Sequence, residues 1–264
     1  MLVKANGIRI NYELTGKKDG PVLVLSHSLG CSFAMWDPQM EILEPHFKVL
    51  RYDVRGHGKS DAPNGPYTPE LLGEDVVGLL DALQINRVHF VGLSMGGMIG
   101  QDLAVTHAER LHSVTLCDTF SIFPKEAEPA FRERIEIARN KGMEPLVEPT
   151  LERWFTPSFI KSDPPILGMI RRQLLATPVE GFIGCVQAIL RLNYRDRLSS
   201  IDLPTLILVG EEDPGTPVSA AQAIQERIKD SKLVIIPSAR HLPNVERPAE
   251  FNRALSEFLK AQIA

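Results

Sequence analysis

Cysteine is scarce in this chain. Cys31, Cys117 and Cys185 are the only three, an odd number at wide spacing, which argues against a disulfide framework and a cysteine-built zinc site. Each reads as a reduced thiol filling a small apolar niche. Long hydrophobic runs are also missing: the longest, at 22–25 and 206–209, are strand-length and far short of a membrane span. Charge of one sign is nowhere concentrated. Basic side chains number 29 and acidic ones 33, for a net charge of −4, with no basic stripe for nucleic acid and no charged tail. Met1-Leu2-Val3-Lys4 runs straight into a strand pattern without an apolar leader. The expectation is therefore a cytoplasmic protein with neither a membrane nor a nucleic-acid partner. No internal repeat or low-complexity tract is present, and nothing in the sequence speaks to oligomeric state.

What the chain does have is apolar residues in an ordered pattern. They make up 44% of 264 residues, enough for a large core. Asn6-Gly7 between two alternating stretches is a hairpin signal, so the chain opens with an antiparallel pair. The all-apolar Val22-Leu23-Val24-Leu25 reads as a buried parallel strand. Further strands near 47–52, 88–91 and 113–117 alternate with helices near 37–43 and 68–83 and after Gly96, which predicts an α/β, doubly wound, mostly parallel sheet. Thr68-Pro69 marks one helix start, as N-cap and first-turn proline. The alternation stops between 120 and 200, where prolines separate helical patches and aromatic residues accumulate. That stretch is read as a helical cap. The sheet resumes at 204–210 and 233–236, and an amphipathic helix from Pro248 ends the pattern. The expected division is a core of 1–119 and 201–264 with a cap of 120–200.

Gly92-Leu93-Ser94-Met95-Gly96 joins the strand at 88–91 to a helix. A serine in a Gly-x-Ser-x-Gly turn at that place is a nucleophile elbow: the turn strains its backbone, exposes its hydroxyl, and requires small neighbours. A serine hydroxyl needs a base, and the base needs a group to hold its ring. Chemistry in an open α/β sheet sits at the carboxyl ends of the strands. Of the seven histidines, His46, His89, His107 and His112 are misplaced for this and read as structural or surface groups. His27, His57 and His241 each follow a strand. The chain order nucleophile, acid, histidine selects His241, with His27 shaping the oxyanion loop. Asp213 is the acid chosen from Gly210-Glu211-Glu212-Asp213-Pro214; Asp118, at the end of the strand beside the elbow, is the rival. Two backbone amides, those of Met95 and Leu29, are expected to form the oxyanion hole.

With those residues in view, the chain resembles the α/β-hydrolase superfamily from end to end, and within it the 3-oxoadipate enol-lactonases and related carboxylesterases. The resemblance is carried by Leu23 to Gly30, Met35-Trp36-Asp37, Arg51 to Ser60, the elbow Gly92 to Gly97, Arg153 to Pro157, and Gly210 to Pro217. It implies an α/β-hydrolase fold, a serine hydrolase of small esters or lactones acting through an acyl-enzyme, and the same assignments of Ser94, Asp213 and His241. The usual His-Gly oxyanion dipeptide is His27-Ser28 here, as enol-lactonases also tend to have. Two departures bear on the acyl pocket: Arg191 lacks an acidic residue after it, and Arg240 stands where a small residue usually precedes the histidine.

Trp36, Phe123, Trp154 and Phe155 are expected to exclude water and hold the acyl chain. Arg191, with Arg134 and Arg195 as alternatives, is placed to pair with a substrate carboxylate. No metal or cofactor is expected. Two other classes compete. A dinucleotide-binding reductase fails because the glycines do not fit Gly-x-Gly-x-x-Gly and the turn is not on the first strand. A ligand-binding receptor on a hydrolase scaffold would keep the pocket without turnover. Among enzymes, short-chain esterase, N-acyl-homoserine lactonase and perhydrolase activities would use the same triad.

Overall fold

The computed structural model describes residues 1–263. The eight strands are β1 (Leu2–Ala5), β2 (Ile8–Gly16), β3 (Val22–Ser26), β4 (Lys48–Tyr52), β5 (Val88–Leu93), β6 (Leu111–Cys117), β7 (Thr205–Gly210) and β8 (Lys232–Ile236). They form one sheet in the order β1-β2-β4-β3-β5-β6-β7-β8. β1 and β2 pair antiparallel through a turn in which Asn6 and Gly7 both have positive φ, as the hairpin signal required. β2 meets β4 antiparallel, and every later pairing is parallel.

Side chains alternate across this sheet. Val24, Leu50, Phe90 and Ile207 enter the apolar cluster on one face; Leu23, Leu25, Val49, Val91 and Leu208 enter the cluster on the other. Apolar burial on both faces is why these strands read as near-continuous hydrophobic runs. Helices cover both faces: α1 (Asp37–Leu43), α2 (Pro69–Ala82) and α3 (Met95–Thr106) follow the early strands. Thr68 caps α2, its hydroxyl accepting the Leu71 N–H at 3.1 Å.

Between β6 and β7 lie α4 (Glu128–Lys141), α5 (Glu144–Trp154), α6 (Pro157–Ser162), α7 (Pro165–Ala176) and α8 (Val179–Leu190). Prolines open α4 through α7, where a missing N–H costs the helix nothing, and so they divide the insertion into short helices. α4 and α8 add Ile135, Ala138, Phe182 and Val186 to the apolar cluster of one sheet face. α5 and α7 add Leu151, Trp154, Ile170 and Leu174 to that of the other. The insertion thus straddles the sheet edge. α9 (Val218–Gln225), the single-turn α10 (Pro243–Glu246) and α11 (Pro248–Ala261) complete the element order. Among the described residues no single helix is long and apolar enough to cross a membrane.

Candidate active site

The parallel register aligns strand ends, with Ser26 beside Gly92, Leu93 beside Cys117 and Gly210 beside Ile236. The loops leaving these ends converge. Ser94 is the first residue past β5 and has φ 55°, ψ −112°, a conformation that L residues adopt only under constraint. Its N–H donates to the Cys117 carbonyl at 2.8 Å, and its carbonyl accepts the Met98 N–H at 3.0 Å, so the chain on both sides holds the turn. A Cβ on Gly92 would lie 2.0 Å from the Gly96 carbonyl oxygen, and one on Gly96 would lie 2.2 Å from that of Ser26. No larger residue fits either place.

Ser94, His241 and Asp213 line one cavity of about 240 Å³. His241 Nδ1 is 2.7 Å from Asp213 Oδ2, which leaves Nε2 as the free ring nitrogen. Asp213 is buried, and its carboxylate also accepts the Gly215 N–H at 2.8 Å, the Thr216 N–H at 3.2 Å and the Thr216 hydroxyl. Burial pushes this carboxyl up, but the His241 ring, Thr216 and Gly215 outweigh it and hold the group down at about 2. Thr216 is thus spent on Asp213, and α9 begins after Pro217 without a side-chain cap.

Asp118, the rival acid, lies against the same pair: donor atoms of Asp118, Asp213 and His241 fall within 4.8 Å of one another. Its Oδ1 accepts the Gly210 N–H at 2.8 Å, and its Oδ2 is buried with no hydrogen-bond partner among the described residues. Burial, then the neighbouring Asp213 charge, push Asp118 far above the ordinary carboxylate range. The two carboxyls are thus pushed in opposite directions, and His241 bonds to Asp213, the one held low. These three groups are also the candidate cation donors. A zinc ion bound at about 2 Å sets tetrahedral donors about 3.3 Å apart, so the 2.7 Å separation of Asp213 and His241 suits a shared proton better.

The opposite loop is Ser28-Leu29-Gly30. Ser28 N–H points at Met35 Sδ, 3.3 Å away, and Gly30 N–H donates to His57 Nε2 at 2.9 Å, while among the described residues no acceptor takes the Leu29 N–H. Met95 opens α3, so its N–H has no acceptor within the helix. His27 donates from Nδ1 to the Ser28 carbonyl at 2.7 Å and accepts the Val54 N–H on Nε2 at 2.9 Å. Burial lowers His27 to about 4, and burial together with His27 lowers His57 to about 3. Both rings are neutral acceptors that pin backbone. The pinning role of His57 was not legible in the sequence, where it was one of three equivalent histidines.

The far wall comes from the insertion and α3. Trp154 stacks on His241, with ring centroids 6.0 Å apart and planes at 28°. Met98, Phe120, Phe131 and Ile189 supply apolar surface. Four expected wall residues are elsewhere. Trp36 is fully buried against Phe251 of α11, on the core side of its turn. Phe155 follows Trp154 but points away, stacked on Phe159 at 4.9 Å. Phe123 is one layer back, edge-on to Phe120 and Phe131, which take the wall positions. Arg191 is exposed at the carboxyl end of α8, and Arg195 is exposed beyond it. The cations at the wall are Arg134 and Arg153. Arg134 lies over the Phe131 and Phe182 rings at 5.2 and 5.5 Å. Burial and the charge of Arg153 pull Arg134 down to about 9, so it remains a cation at neutral pH. Neither arginine is in an ion pair among the described residues.

Known proteins resemble this chain along nearly its whole length. A 3-oxoadipate enol-lactonase of Acinetobacter baylyi is 38% identical over 256 residues, covering 97% of this chain and 95% of that one. The crystal structure of the enol-lactonase from Burkholderia xenovorans LB400 superposes with a TM-score of 0.95 at 38% identity, covering 98% of this chain and 100% of that chain. A thermophilic esterase from Thermogutta terrifontis, solved with malate bound, gives a TM-score of 0.93 at 31% identity over 99% of each chain. Residues 21–248 match the family described as the alpha/beta hydrolase fold, and the chain belongs to that family.

Proposed function

We propose that this protein is a carboxylic-ester hydrolase that opens lactones or esters of small acids bearing a free carboxylate, through an acyl-enzyme on Ser94. The observation that carries this is the composition of one cavity: an elbow serine, a histidine bonded to an ionised aspartate, and two arginines. The relatives named above, enol-lactonases and an esterase, act on bonds of this kind. The malate in the Thermogutta terrifontis esterase is a dicarboxylate.

In this reading Ser94 Oγ attacks the acyl carbon while its proton passes to His241 Nε2. Asp213 holds the ring through Nδ1 and offsets the imidazolium charge. The carbonyl oxygen becomes an oxyanion between the Leu29 and Met95 N–H groups. As it collapses, the C–O bond breaks and the leaving oxygen takes the proton from His241. A lactone keeps its leaving oxygen tethered, so water must reach the acyl-enzyme before the ring closes again; an enol leaving group slows that return because its oxygen is less basic. Water then loses a proton to His241, adds to the acyl carbon, and Ser94 leaves with the proton. Arg134 and Arg153 anchor the carboxylate by charge-assisted hydrogen bonds. Residues 120–200 act as a cap that keeps bulk water out.

Ser94→Ala tests the reading. The expected loss in kcat is about 10⁴- to 10⁶-fold, on both a p-nitrophenyl ester and an enol-lactone, with an unchanged circular-dichroism spectrum. Wild-type turnover by that variant would overturn it.

A further inference from the structure

Glu246 ends α10, the short helix after His241, and only 7% of its surface is exposed. Its carboxylate has no arginine or lysine partner among the described residues. Three hydrogen bonds hold it instead. Oε2 accepts the Arg240 N–H at 2.8 Å, and Oε1 accepts the Thr156 N–H at 2.8 Å together with the Thr156 hydroxyl. A buried carboxylate is costly even when fully bonded, and an apolar side chain would fill the niche at less cost. Packing alone does not account for the charge.

Two stretches of chain meet on that carboxylate. Arg240 directly precedes His241, and Thr156 follows the Arg153-Trp154 pair that lines the cavity. Other bonds run beside it. The Arg240 guanidinium donates to the Glu152 carbonyl at 2.6 Å and to the Phe155 carbonyl at 3.3 Å. Leu242 N–H donates to the Trp154 carbonyl at 3.4 Å. The loop of the histidine and the arginine-bearing wall are thus one bonded unit, and Glu246 grips both backbones at once.

We infer that Glu246 is a positioning residue that keeps His241 and the anion-binding wall in one register, so that seating a substrate carboxylate and aligning the base are a single event. This rests on the roles proposed for Ser94, His241 and Arg153. Glu246→Gln keeps the shape but turns one accepting oxygen into a donor, which then confronts either the Arg240 N–H or the Thr156 N–H. Two constants change together. The kcat on a neutral p-nitrophenyl ester falls about ten- to a hundredfold, and KM for an ester bearing a free carboxylate rises by a comparable factor, as expected for a charge-assisted bond lost at a buried site. Thr156→Val keeps the backbone bond to Glu246 but loses the hydroxyl bond, together with the contacts of that hydroxyl to the Phe159 N–H at 3.4 Å and the Ser158 hydroxyl at 3.0 Å, and it shifts both constants in the same directions by less. The downfield proton resonance of the Asp213–His241 hydrogen bond moves in both variants. A lower melting temperature with kcat and KM as in the wild type would make Glu246 a plain structural group and overturn the inference. If Glu246→Gln fails to fold, Thr156→Val decides by the same constants and the same resonance. Full turnover by Ser94→Ala would overturn the underlying reading instead, so the two failures are distinguishable.

Discussion

The two walls of the cavity are built in different ways. The strand-edge wall holds Ser94, Asp213, His241 and the Leu29 amide on loops that leave parallel strands, and each position follows from short local sequence. The insertion wall holds Arg134, Arg153, Trp154 and Phe131 on helices whose faces are set by packing against one another. A strand end points its loop in one direction whatever the rest of the chain does. A helix places a residue on the wall or behind it by a rotation of about 100° per residue. The proposed chemistry is therefore concentrated where local sequence sets the backbone, and the proposed recognition where tertiary packing sets it.

Three measurements sharpen or break that contrast. The largest effect belongs to the strand-edge wall. Asp213→Asn puts the wrong tautomer on His241 and lowers kcat about 10⁴-fold. Asp118→Asn puts an amide that can still accept the Gly210 N–H in place of a carboxyl that His241 does not bond, and it leaves kcat within about tenfold. Equal losses from the two substitutions, measured on one ester, would mean that the carboxylates act as a shared acid.

A smaller effect comes from the insertion wall. Arg153→Gln raises KM for an ester with a free carboxylate by about ten- to a hundredfold, while kcat on that ester and both constants on a neutral ester change far less. A kcat loss on the neutral ester would show that this wall takes part in the chemistry. The smallest effect is on stability. His27 and His57 titrate in the folded protein at about 4 and about 3, below their unfolded value of about 6.5. The unfolded chain therefore binds more protons across that interval, so their stabilisation is complete above pH 6.5 and drains away as pH falls. His57→Gln removes one of these groups while keeping an acceptor for the Gly30 N–H. Between pH 7 and 4.5, urea unfolding of the wild type loses about 2 kcal/mol more than that of the variant. Equal losses would mean that His57 is not buried neutral.

How much of this was legible follows the same division. The hairpin at Asn6-Gly7, the α2 start at Thr68-Pro69 and the elbow at Ser94 are local devices, and the structure has each of them where the sequence placed it. The three groups chosen for the triad share one cavity because each follows a strand in a single register. Trp36, Phe123, Phe155 and Arg191 were chosen for their chemistry and their neighbourhood, neither of which says which way a side chain turns. Phe155 and Trp154 are adjacent in sequence and face opposite directions. Arg153 stood inside the Arg153-Trp154-Phe155 motif, but nothing in one sequence distinguishes a cation facing a cavity from one facing water. The upward push on Asp118 comes from burial and from Asp213, which is far along the chain, and only folding supplies either.

The helices between β6 and β7 extend the apolar interior on both faces of the sheet, α4 and α8 on one side and α5 and α7 on the other. Swinging them aside like a door would split two greasy seams at once, a far larger expense than letting a ligand slip past a few side chains. In the proposed function, a ligand would then enter by displacing side chains at the mouth and not whole helices.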